Sequence, residues 1–301
     1  MYEYHKPVLL KESIDALITS PDGIYADATF GGGGHSREIL KRLSIKGKLV
    51  GIDRDSDAIS NAISDDRRVK LIHNNFRFIH NYSLLETEGG FDGILADLGV
   101  SSHQFDTAER GFSFRYDAPL DMRMNTMSEL TAADVVNGYT QEELEKVFHI
   151  YGEVDNARKL ASLIVEKRTQ SLIKTTEDLD KAIETATPKF AEHKYLAKVY
   201  QALRIEVNQE MRSLEKFLEG SAKSLKSGGR LVVITYHSLE DRMVKNFIKT
   251  GNITGTMDKD VFGCCQTPFD ALNRKPILPT EEEISENTRA RSAKLRIAVK
   301  R

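Results

Sequence analysis

The fold is decided by residues 23–36, which read Gly-Ile-Tyr-Ala-Asp-Ala-Thr-Phe-Gly-Gly-Gly-Gly-His-Ser. Residues 23–29 are typical of a β-strand, and the run Gly31–Gly34 leads from that strand into a helical stretch. Small residues at such a turn let the backbone approach a ligand closely, and the N-terminus of the helix favours an anion. The segment therefore predicts an α/β fold with a ligand site at the turn.

The rest of the chain extends this pattern with an interruption. Further strands are predicted at Lys48–Asp53, Val69–Asn74, Phe91–Asp97, Arg230–Tyr236 and Lys294–Val299. Short apolar strands that alternate with helices indicate a mostly parallel sheet. The strands ending at Asp97 and starting at Arg230 are 132 residues apart, whereas a crossover needs only about a dozen.

The intervening residues have a helical pattern. Thr140-Gln-Glu-Glu143 has the sequence of a capping box, and one apolar stripe runs from Leu196 to Leu218. Asp155 is predicted to be the N-cap of a further helix, and Thr176 to precede another. We therefore predict a discontinuous α/β domain formed by residues 1–105 and 208–301. An inserted α-helical domain is predicted at residues 106–207.

Composition excludes several classes of protein. The 301 residues are 40% hydrophobic and 29% charged, which is ordinary for a globular protein. No apolar run approaches the ~18 residues of a membrane span, and the N-terminus lacks the layout of a secretion signal. The adjacent Cys264 and Cys265 suit neither a zinc site nor a disulfide framework. We expect a cytoplasmic protein without a metal.

Basic residues are concentrated towards the C-terminus. The formal net charge is −2, but residues 208–301 carry 17 Lys and Arg against 12 Asp and Glu. The last fifteen residues hold six basic residues and no acid. This distribution fits contact with a polyanion, and it fits a solvated edge strand equally well.

The glycine turn discriminates between cofactors. A dinucleotide fingerprint needs Gly-x-Gly-x-x-Gly, but its last position falls on Ser36 or Arg37, which disfavours a nucleotide-dependent dehydrogenase. The pattern Asp27-x-x-x-Gly31-x-Gly33 fits methyltransferases that bind S-adenosylmethionine. In those enzymes the loop holds the amino-acid end of the cofactor.

Four side chains follow the predicted strands at the edge where α/β sheets bind ligands. Asp53 is placed to accept the ribose hydroxyls or to cap a helix, and Phe76 to flank an adenine or to fill the core. Asp97 ends an apolar strand abruptly, which is typical of a site residue near the methyl donor. His237 is a candidate base, a substrate contact or a structural histidine.

With these motifs in order, the chain resembles the bacterial 16S rRNA (cytosine-N4)-methyltransferases, the ribosomal RNA small subunit methyltransferase H type. The matching segments span nearly the whole chain and are His5–Leu10, Asp27–Ser36, Gly51–Asp55, Asp97–Ser102, Gln104, Glu109–Phe114, Pro119–Met124, Gln201–Ile205, Val207–Asn208, His237–Arg242 and Arg289–Ser292. The local departure is Gly32, where some relatives carry a larger residue.

The resemblance implies a Rossmann-like class I S-adenosylmethionine-dependent methyltransferase with an inserted helical domain that helps to hold rRNA. It implies methylation of the exocyclic N4 of a cytosine in the decoding centre of 16S rRNA, where the P-site codon sits. The cofactor contacts that it implies are Gly33, Gly34, His35, Asp53, Phe76, Asp97 and Gln104.

The chemistry of an exocyclic amine suggests further roles. We hypothesise that Asp97 positions the cytosine amine or accepts its proton, assisted by Ser101 or His237. No Pro-Pro-aromatic segment follows Asp97, so the residue that stacks on the cytosine must come from elsewhere. The candidates for stacking are Phe112, Phe114 and Tyr236.

RNA recognition should involve an unpaired or extruded base and several phosphate contacts. The phosphate-contact candidates are Arg110, Arg115, Arg123 and the basic residues of Arg289–Arg301. Arg204 and Asn208 lie four residues apart on one helix face, either for RNA or as a hydrogen-bonded pair between domains.

Two alternative functions stay open at this point: a methyltransferase that acts on an amine of DNA or protein, and a non-catalytic rRNA-binding assembly factor. The sequence also leaves open a homodimer, and it does not decide whether free rRNA, a precursor particle or the mature small subunit is the substrate.

Overall fold

The computed structural model describes residues 7–60, 66–257 and 267–301. These residues form two compact units. One unit contains the described residues up to Gly99 together with those from Met211 onwards, and the other is Val100–Glu210. Cys264 and Cys265, whose role the sequence left open, lie outside the described residues. Within these ranges, we find no helix that is both long and apolar enough to cross a membrane.

The first unit is built on a seven-stranded sheet. Its strands are β1 (Ile24–Asp27), β2 (Lys48–Asp53), β3 (Val69–His73), β4 (Phe91–Asp97), β5 (Leu225–Thr235), β6 (Phe269–Ala271) and β7 (Lys294–Lys300). The strand order is β3-β2-β1-β4-β5-β7-β6. The strands β1 to β5 pair in parallel, and β7 lies antiparallel between β5 and β6. The sheet is therefore mostly parallel, as the sequence predicted.

Helices connect these strands and fill the second unit. In chain order they are α1 (Leu10–Leu17), α2 (Gly34–Arg42), α3 (Ser56–Ser60), α4 (Ile79–Glu86), α5 (Ser102–Asp106), α6 (Ala132–Gly138), α7 (Gln141–Gly152), α8 (Ala157–Gln170), α9 (Thr176–Ile183), α10 (Glu192–Asn208), α11 (Glu210–Ser224), α12 (Ser238–Thr250) and α13 (Glu281–Glu286).

The central strands are buried on both faces because helices cover both sides of the sheet. In β4, Ile94 and Ala96 belong to one buried apolar cluster, and Leu95 between them belongs to another. Alternate residues of a strand point to opposite faces, so both clusters are fixed by one short apolar run. The strand order reverses between β1 and β4, which creates a crevice at their carboxyl ends, where Asp27 and Asp97 lie.

The helical unit corrects some predicted helix starts. The capping box Thr140–Glu143 is present, as predicted. The predicted starts at Asp155 and Thr176 are wrong by one residue each, because Asn156 and Thr175 occupy the N-cap positions. Thr175 is the N-cap of α9 because Asp178, three residues later, completes a reciprocal capping box with it.

The long apolar stripe from Leu196 to Leu218 is not one helix. Helix α10 ends at Asn208, and Gln209 has a left-handed backbone conformation with a φ of 48° before α11 begins at Glu210. The apolar spacing continues across this break, which is why the sequence pattern alone did not reveal it.

Asn208 braces the helical unit from within. Its side-chain Oδ1 accepts the backbone N–H of Met124 at 2.8 Å, and its Nδ2 donates to the carbonyl oxygens of Met122 at 2.7 Å and Arg204 at 2.9 Å. Arg204 itself forms a two-bond ion pair with Glu210, at 2.8 and 2.9 Å. The Arg204 and Asn208 side chains thus hold together elements of one unit.

We expect Asn208→Ala to lower the free energy of unfolding by about 1–3 kcal/mol, because it leaves buried backbone groups without their partner. Chemical denaturation followed by circular dichroism measures this loss. Lys146→Ala, at an exposed position of the same unit, is the matched control and should change stability by less than about 0.5 kcal/mol. Equal stability of the two variants would contradict the bracing role.

Candidate active site

The glycine turn after β1 has backbone angles and close neighbours that disfavour residues with a side chain. Gly31 and Gly33 have positive φ angles of 51° and 72°. A Cβ on Gly34 would lie 2.2 Å from Cγ of Pro7, which is closer than any real contact. Gly33 takes the N-cap position of α2 and has no side chain to cover the helix N-terminus. The turn therefore leaves backbone N–H groups for a ligand.

Asp53, at the end of β2, holds this turn in place. Its Oδ2 accepts the backbone N–H of Gly31 at 2.7 Å, and its Oδ1 accepts that of Asp55 at 2.8 Å. Burial raises the pKa of Asp53, although both hydrogen bonds favour the charged form. A carboxylate offers about four acceptor positions, so Asp53 retains capacity for hydroxyl donors such as those of a ribose.

Asp97, at the end of β4, is held by groups from three other segments. Tyr236 donates its hydroxyl to Oδ1 at 2.8 Å, and Nδ1 of His35 lies 3.8 Å from Oδ2. The backbone N–H of Asp97 donates to the hydroxyl of Thr29 at 2.7 Å. Desolvation raises the pKa of Asp97 to about 6, against the opposing effects of His35 and Tyr236. The side chain is still 24% exposed, so a substrate can reach it.

A second buried carboxyl group adjoins this one. Asp27, at the end of β1, accepts the hydroxyl of Ser36 at 2.6 Å, and burial raises the pKa of Asp27. The charge of His35 acts on both Asp27 and Asp97, so the imidazole serves two carboxyl groups. The sequence singled out Asp27 only as the first residue of the glycine motif.

Nε2 of His35 lies 3.1 Å from the carbonyl oxygen of Val8. A carbonyl oxygen only accepts, so Nε2 carries the hydrogen in this contact. In the neutral imidazole, Nδ1 is then an acceptor that faces Asp97. His35 is 6% exposed, and this hydrogen bond fixes the orientation of its ring.

Phe76 and His237 have clear structural contacts. Phe76, just after β3, packs edge-on against Phe217 with ring centroids 5.2 Å apart, and it is 9% exposed. Nδ1 of His237 accepts the backbone N–H of Glu240 and so caps α12. Its Nε2 lies 3.2 Å from Oε1 of Glu240. These contacts show that His237 is the N-cap of α12.

Ser101 and Gln104 belong to the helical unit and form the capping box of α5. The Ser101 hydroxyl accepts the Gln104 backbone N–H at 3.2 Å, and Gln104 Oε1 accepts the Ser101 N–H at 3.1 Å. Gln104 is 4% exposed. Their predicted catalytic and cofactor-binding roles stay predictions.

Several arginines predicted to contact phosphate have partners within the chain. Arg110 is buried and donates to the carbonyl oxygens of Arg123 and Met124. Arg123 pairs with Asp121 through its guanidinium, with a shortest distance of 2.6 Å. Of these three candidates, Arg115 is the one with an exposed side chain.

The C-terminal basic residues are also partly paired, because β7 is a strand of the sheet. Arg296 is buried and bonded to Asp241 at 2.7 Å, and Arg301 lies 2.6 Å from Asp270. Arg291 is exposed.

Tyr236 has a role that the sequence analysis missed. It was considered only as a stacking partner for a cytosine. The signal was available in the strand register, because Asp97 pairs with Ile234 and Tyr236 follows two residues later at the same edge. Burial and the charge of Asp97 raise the pKa of Tyr236 well above its usual value, so the phenol stays a donor.

Gly34→Ala should distort the turn, because the new methyl group overlaps Pro7. We expect the free energy of unfolding to fall by about 1–3 kcal/mol and the affinity for S-adenosylmethionine to fall with it. Thermal denaturation and titration calorimetry measure the two effects. Gly138→Ala, where a Cβ meets no atom within 4 Å, is the control and should be neutral. A Gly34→Ala protein with unchanged stability and affinity would refute the close approach.

Several named proteins are similar to this chain. The chain is 57% identical to a ribosomal RNA small subunit methyltransferase H of Bacteroides fragilis over 298 residues, which cover 99% of this chain and 98% of the relative. It is 54% identical to the protein of that name from Flavobacterium johnsoniae, with the same coverage. A solved rRNA methylase structure from Streptococcus thermophilus matches 97% of the chain and 93% of its own, with 13% identity and a TM-score of 0.40.

The model of the MraW methylase family matches residues 2–301, which is nearly the whole chain. With that match and relatives above 50% identity over their full length, the chain belongs to the MraW methylase family.

Proposed function

We propose that the protein transfers the methyl group of S-adenosylmethionine to the exocyclic N4 of a cytosine in the decoding centre of 16S rRNA, acting in the cytoplasm. The observation that carries the proposal is the partly exposed carboxyl group of Asp97 at the carboxyl end of β4, in a family of methylases. The named relatives, which match over 98% of their length, carry a small-subunit rRNA methyltransferase name.

The protein is an S-adenosylmethionine-dependent methyltransferase. The turn at Gly33 and Gly34 carries no side chains, because a Cβ there would press against Phe30 or Pro7. Asp53 offers acceptors for ribose hydroxyls, and Asp97 offers a carboxylate. We propose that these residues, with His35, Phe76 and Gln104, hold the cofactor. When bound there, it supplies an electrophilic methyl group.

The residues of the chain must overcome the poor nucleophilicity of the amine. The nitrogen lone pair of cytosine N4 is delocalised into the ring, so alignment with the methyl group contributes much of the rate. As the nitrogen attacks, its N–H becomes acidic, and an acceptor within hydrogen-bond reach helps to remove the proton. Asp97 has a partly exposed side chain at the sheet crevice, and it is the acceptor in this proposal.

The neighbours of Asp97 suit it to that role. A pKa of about 6 leaves the carboxyl group largely ionised at neutral pH and a stronger base than an ordinary aspartate. Tyr236 occupies Oδ1 as a donor, which directs the remaining acceptor capacity to Oδ2. Nδ1 of His35 lies near that oxygen and stabilises its charge when the imidazole is protonated.

The target base must leave its stack to reach Asp97, because a stacked amine is inaccessible. We propose that the helical unit holds the surrounding rRNA and that exposed arginines contact its phosphates. Arg115 and Arg291 are exposed, whereas Arg110, Arg296 and Arg301 have internal partners.

The proposal is tested with labelled S-adenosylmethionine and four acceptors: unmodified small subunits, deproteinised 16S rRNA, DNA and total protein. Mass spectrometry of the nucleosides identifies the product. N4-methylated cytidine from the small subunit or its rRNA supports the proposal. Label in DNA or protein alone supports another amine. No transfer to any acceptor, with the cofactor bound, favours an assembly factor.

Asp97→Asn should lower the single-turnover rate by about 100-fold or more, because the amide keeps the shape of the carboxyl group but accepts no proton. Calorimetry separates this effect from cofactor binding. Loss of rate with affinity retained indicates proton acceptance, and loss of both indicates a cofactor-binding role. Full turnover would exclude Asp97 from the chemistry.

The wild-type rate should also depend on pH through the same group. Below a pH of about 6 the carboxyl group is protonated and cannot accept, so the rate falls about tenfold per pH unit. Above that value the rate should level off. A single-turnover rate that stays constant from about one pH unit below that pKa to about two units above it would contradict this role.

Arg115→Glu should weaken rRNA binding and flatten its salt dependence. Each lost phosphate contact changes the slope of log affinity against log salt by about 0.7–0.9. Filter binding across a salt series measures the slope. Lys146→Glu, at an exposed position on α7, is the charge-matched control. An unchanged slope for Arg115→Glu would show that this arginine makes no phosphate contact.

A further inference from the structure

The segment Pro7-Val8-Leu9 contacts the glycine turn and His35, although it precedes the first strand. Pro7 packs against Gly34, leaving no space for a Cβ there. The Val8 carbonyl oxygen accepts from Nε2 of His35 at 3.1 Å. The segment belongs to a motif, His5–Leu10, that the sequence analysis singled out but that the proposed function leaves unused.

Leu9 has an unfavourable backbone conformation. Its φ is 50° and its ψ is 37°, which is a left-handed conformation that is unfavourable for a non-glycine residue. Such a conformation persists only where the surroundings hold it. Two features do so here: the side chain is 1% exposed in the core, and the backbone N–H is bonded to a side chain from the other end of the chain.

That side chain is Glu283 of α13, whose Oε1 accepts the Leu9 N–H at 2.7 Å. Thr280 caps α13, so Thr280-x-x-Glu283 has the sequence of a capping box. In the completed boxes of α6, α7 and α9, the third residue bonds back to the cap. The backbone N–H of Glu283 does donate to the hydroxyl of Thr280 at 3.2 Å, but the Glu283 side chain accepts from Leu9.

We propose that Glu283 is a positioning residue of the active site, which acts through Leu9, Val8 and His35 on Asp97. By accepting the Leu9 N–H, Glu283 aims the Val8 carbonyl group at His35. That carbonyl fixes the Nε2–H tautomer of the imidazole and turns Nδ1 towards Oδ2 of Asp97. The catalytic consequence rests on the proposed role of Asp97, whereas the effect on the tautomer does not.

The carboxyl group of Asp97 is surrounded by several titratable residues. Asp97 is faced by His35 from α2, Tyr236 after β5, Asp27 from β1 and Glu240 from α12. The charge of Glu283 also acts directly on Tyr236. A test must therefore separate the hydrogen bond of Glu283 from its charge.

The pair Glu283→Gln and Glu283→Ala makes that separation. Both remove the charge, but the glutamine amide oxygen still accepts the Leu9 N–H. Glu281→Ala, an exposed acid in the first turn of the same helix, is the matched control. All variants are made in the full chain. Their readouts are nitrogen-15 NMR of the His35 imidazole, the single-turnover pH profile, and the rRNA KM.

We expect Glu283→Ala to give a mixture of His35 tautomers and a kcat about tenfold lower, with the rRNA KM unchanged. The midpoint of its pH profile should move upwards, because a misoriented His35 imidazole no longer lowers the pKa of Asp97 as well. Glu283→Gln and Glu281→Ala should both keep the single tautomer and the wild-type profile. A merely structural contact would lower the melting temperature and move none of these readouts.

A single Nε2–H tautomer and normal kcat in Glu283→Ala would overturn the proposal, as would equal changes in the Gln and Ala variants. If Glu283→Ala does not fold, Glu283→Asp makes the same test with a carboxylate one methylene shorter. If Glu283→Ala alters the His35 tautomer but the wild-type protein transfers no methyl group, the positioning role is retained and the proposed function is rejected.

Discussion

The burial of two carboxyl groups, Asp27 and Asp97, at the carboxyl ends of adjacent strands is the constraint on which the crevice depends. An isolated charge is costly to bury, so each carboxyl group requires partners. Ser36 and the charge of His35 serve Asp27, while Tyr236 and the same imidazole serve Asp97. The partners come from segments that follow β1 and β5, and the strand order brings them together.

His35 links the N-terminal segment to the carboxyl groups because its two ring nitrogens have different partners. One nitrogen is fixed by a backbone carbonyl of the N-terminal segment, and the other faces Asp97. The N-terminus of α2, which presents His35, directly follows the glycine turn, so the turn and the carboxyl cluster share one support.

Much of this arrangement could be predicted from local sequence. The bounds of β2 and β4 agree with the predicted strands, because each is an apolar run that ends abruptly in an aspartate. The α/β class followed from the alternation of strands and helices. The boundary between α10 and α11 could not be predicted, because the apolar spacing continues across Gln209 and a single φ angle breaks the helix.

The partners within the site were harder to foresee because they are distant in sequence. The bond from Tyr236 to Asp97 joins residues 139 positions apart, and that from Leu9 to Glu283 joins residues 274 apart. The periodicity of the sequence does not indicate such distant contacts, although the strand register would have revealed the bond between Tyr236 and Asp97. Charge patterning did not reveal the contact of Arg296, because a basic residue near the C-terminus can pair with an acid of another element such as Asp241.

The measurement that tests this account most directly is the titration of the Asp97 carboxyl carbon by carbon-13 NMR, assigned with Asp97→Asn. The account predicts a midpoint at about 6, because desolvation outweighs the effects of His35 and Tyr236. A midpoint near the ordinary aspartate value of about 3.9 would contradict it, since Asp97 would then be a solvated carboxylate with no special basicity.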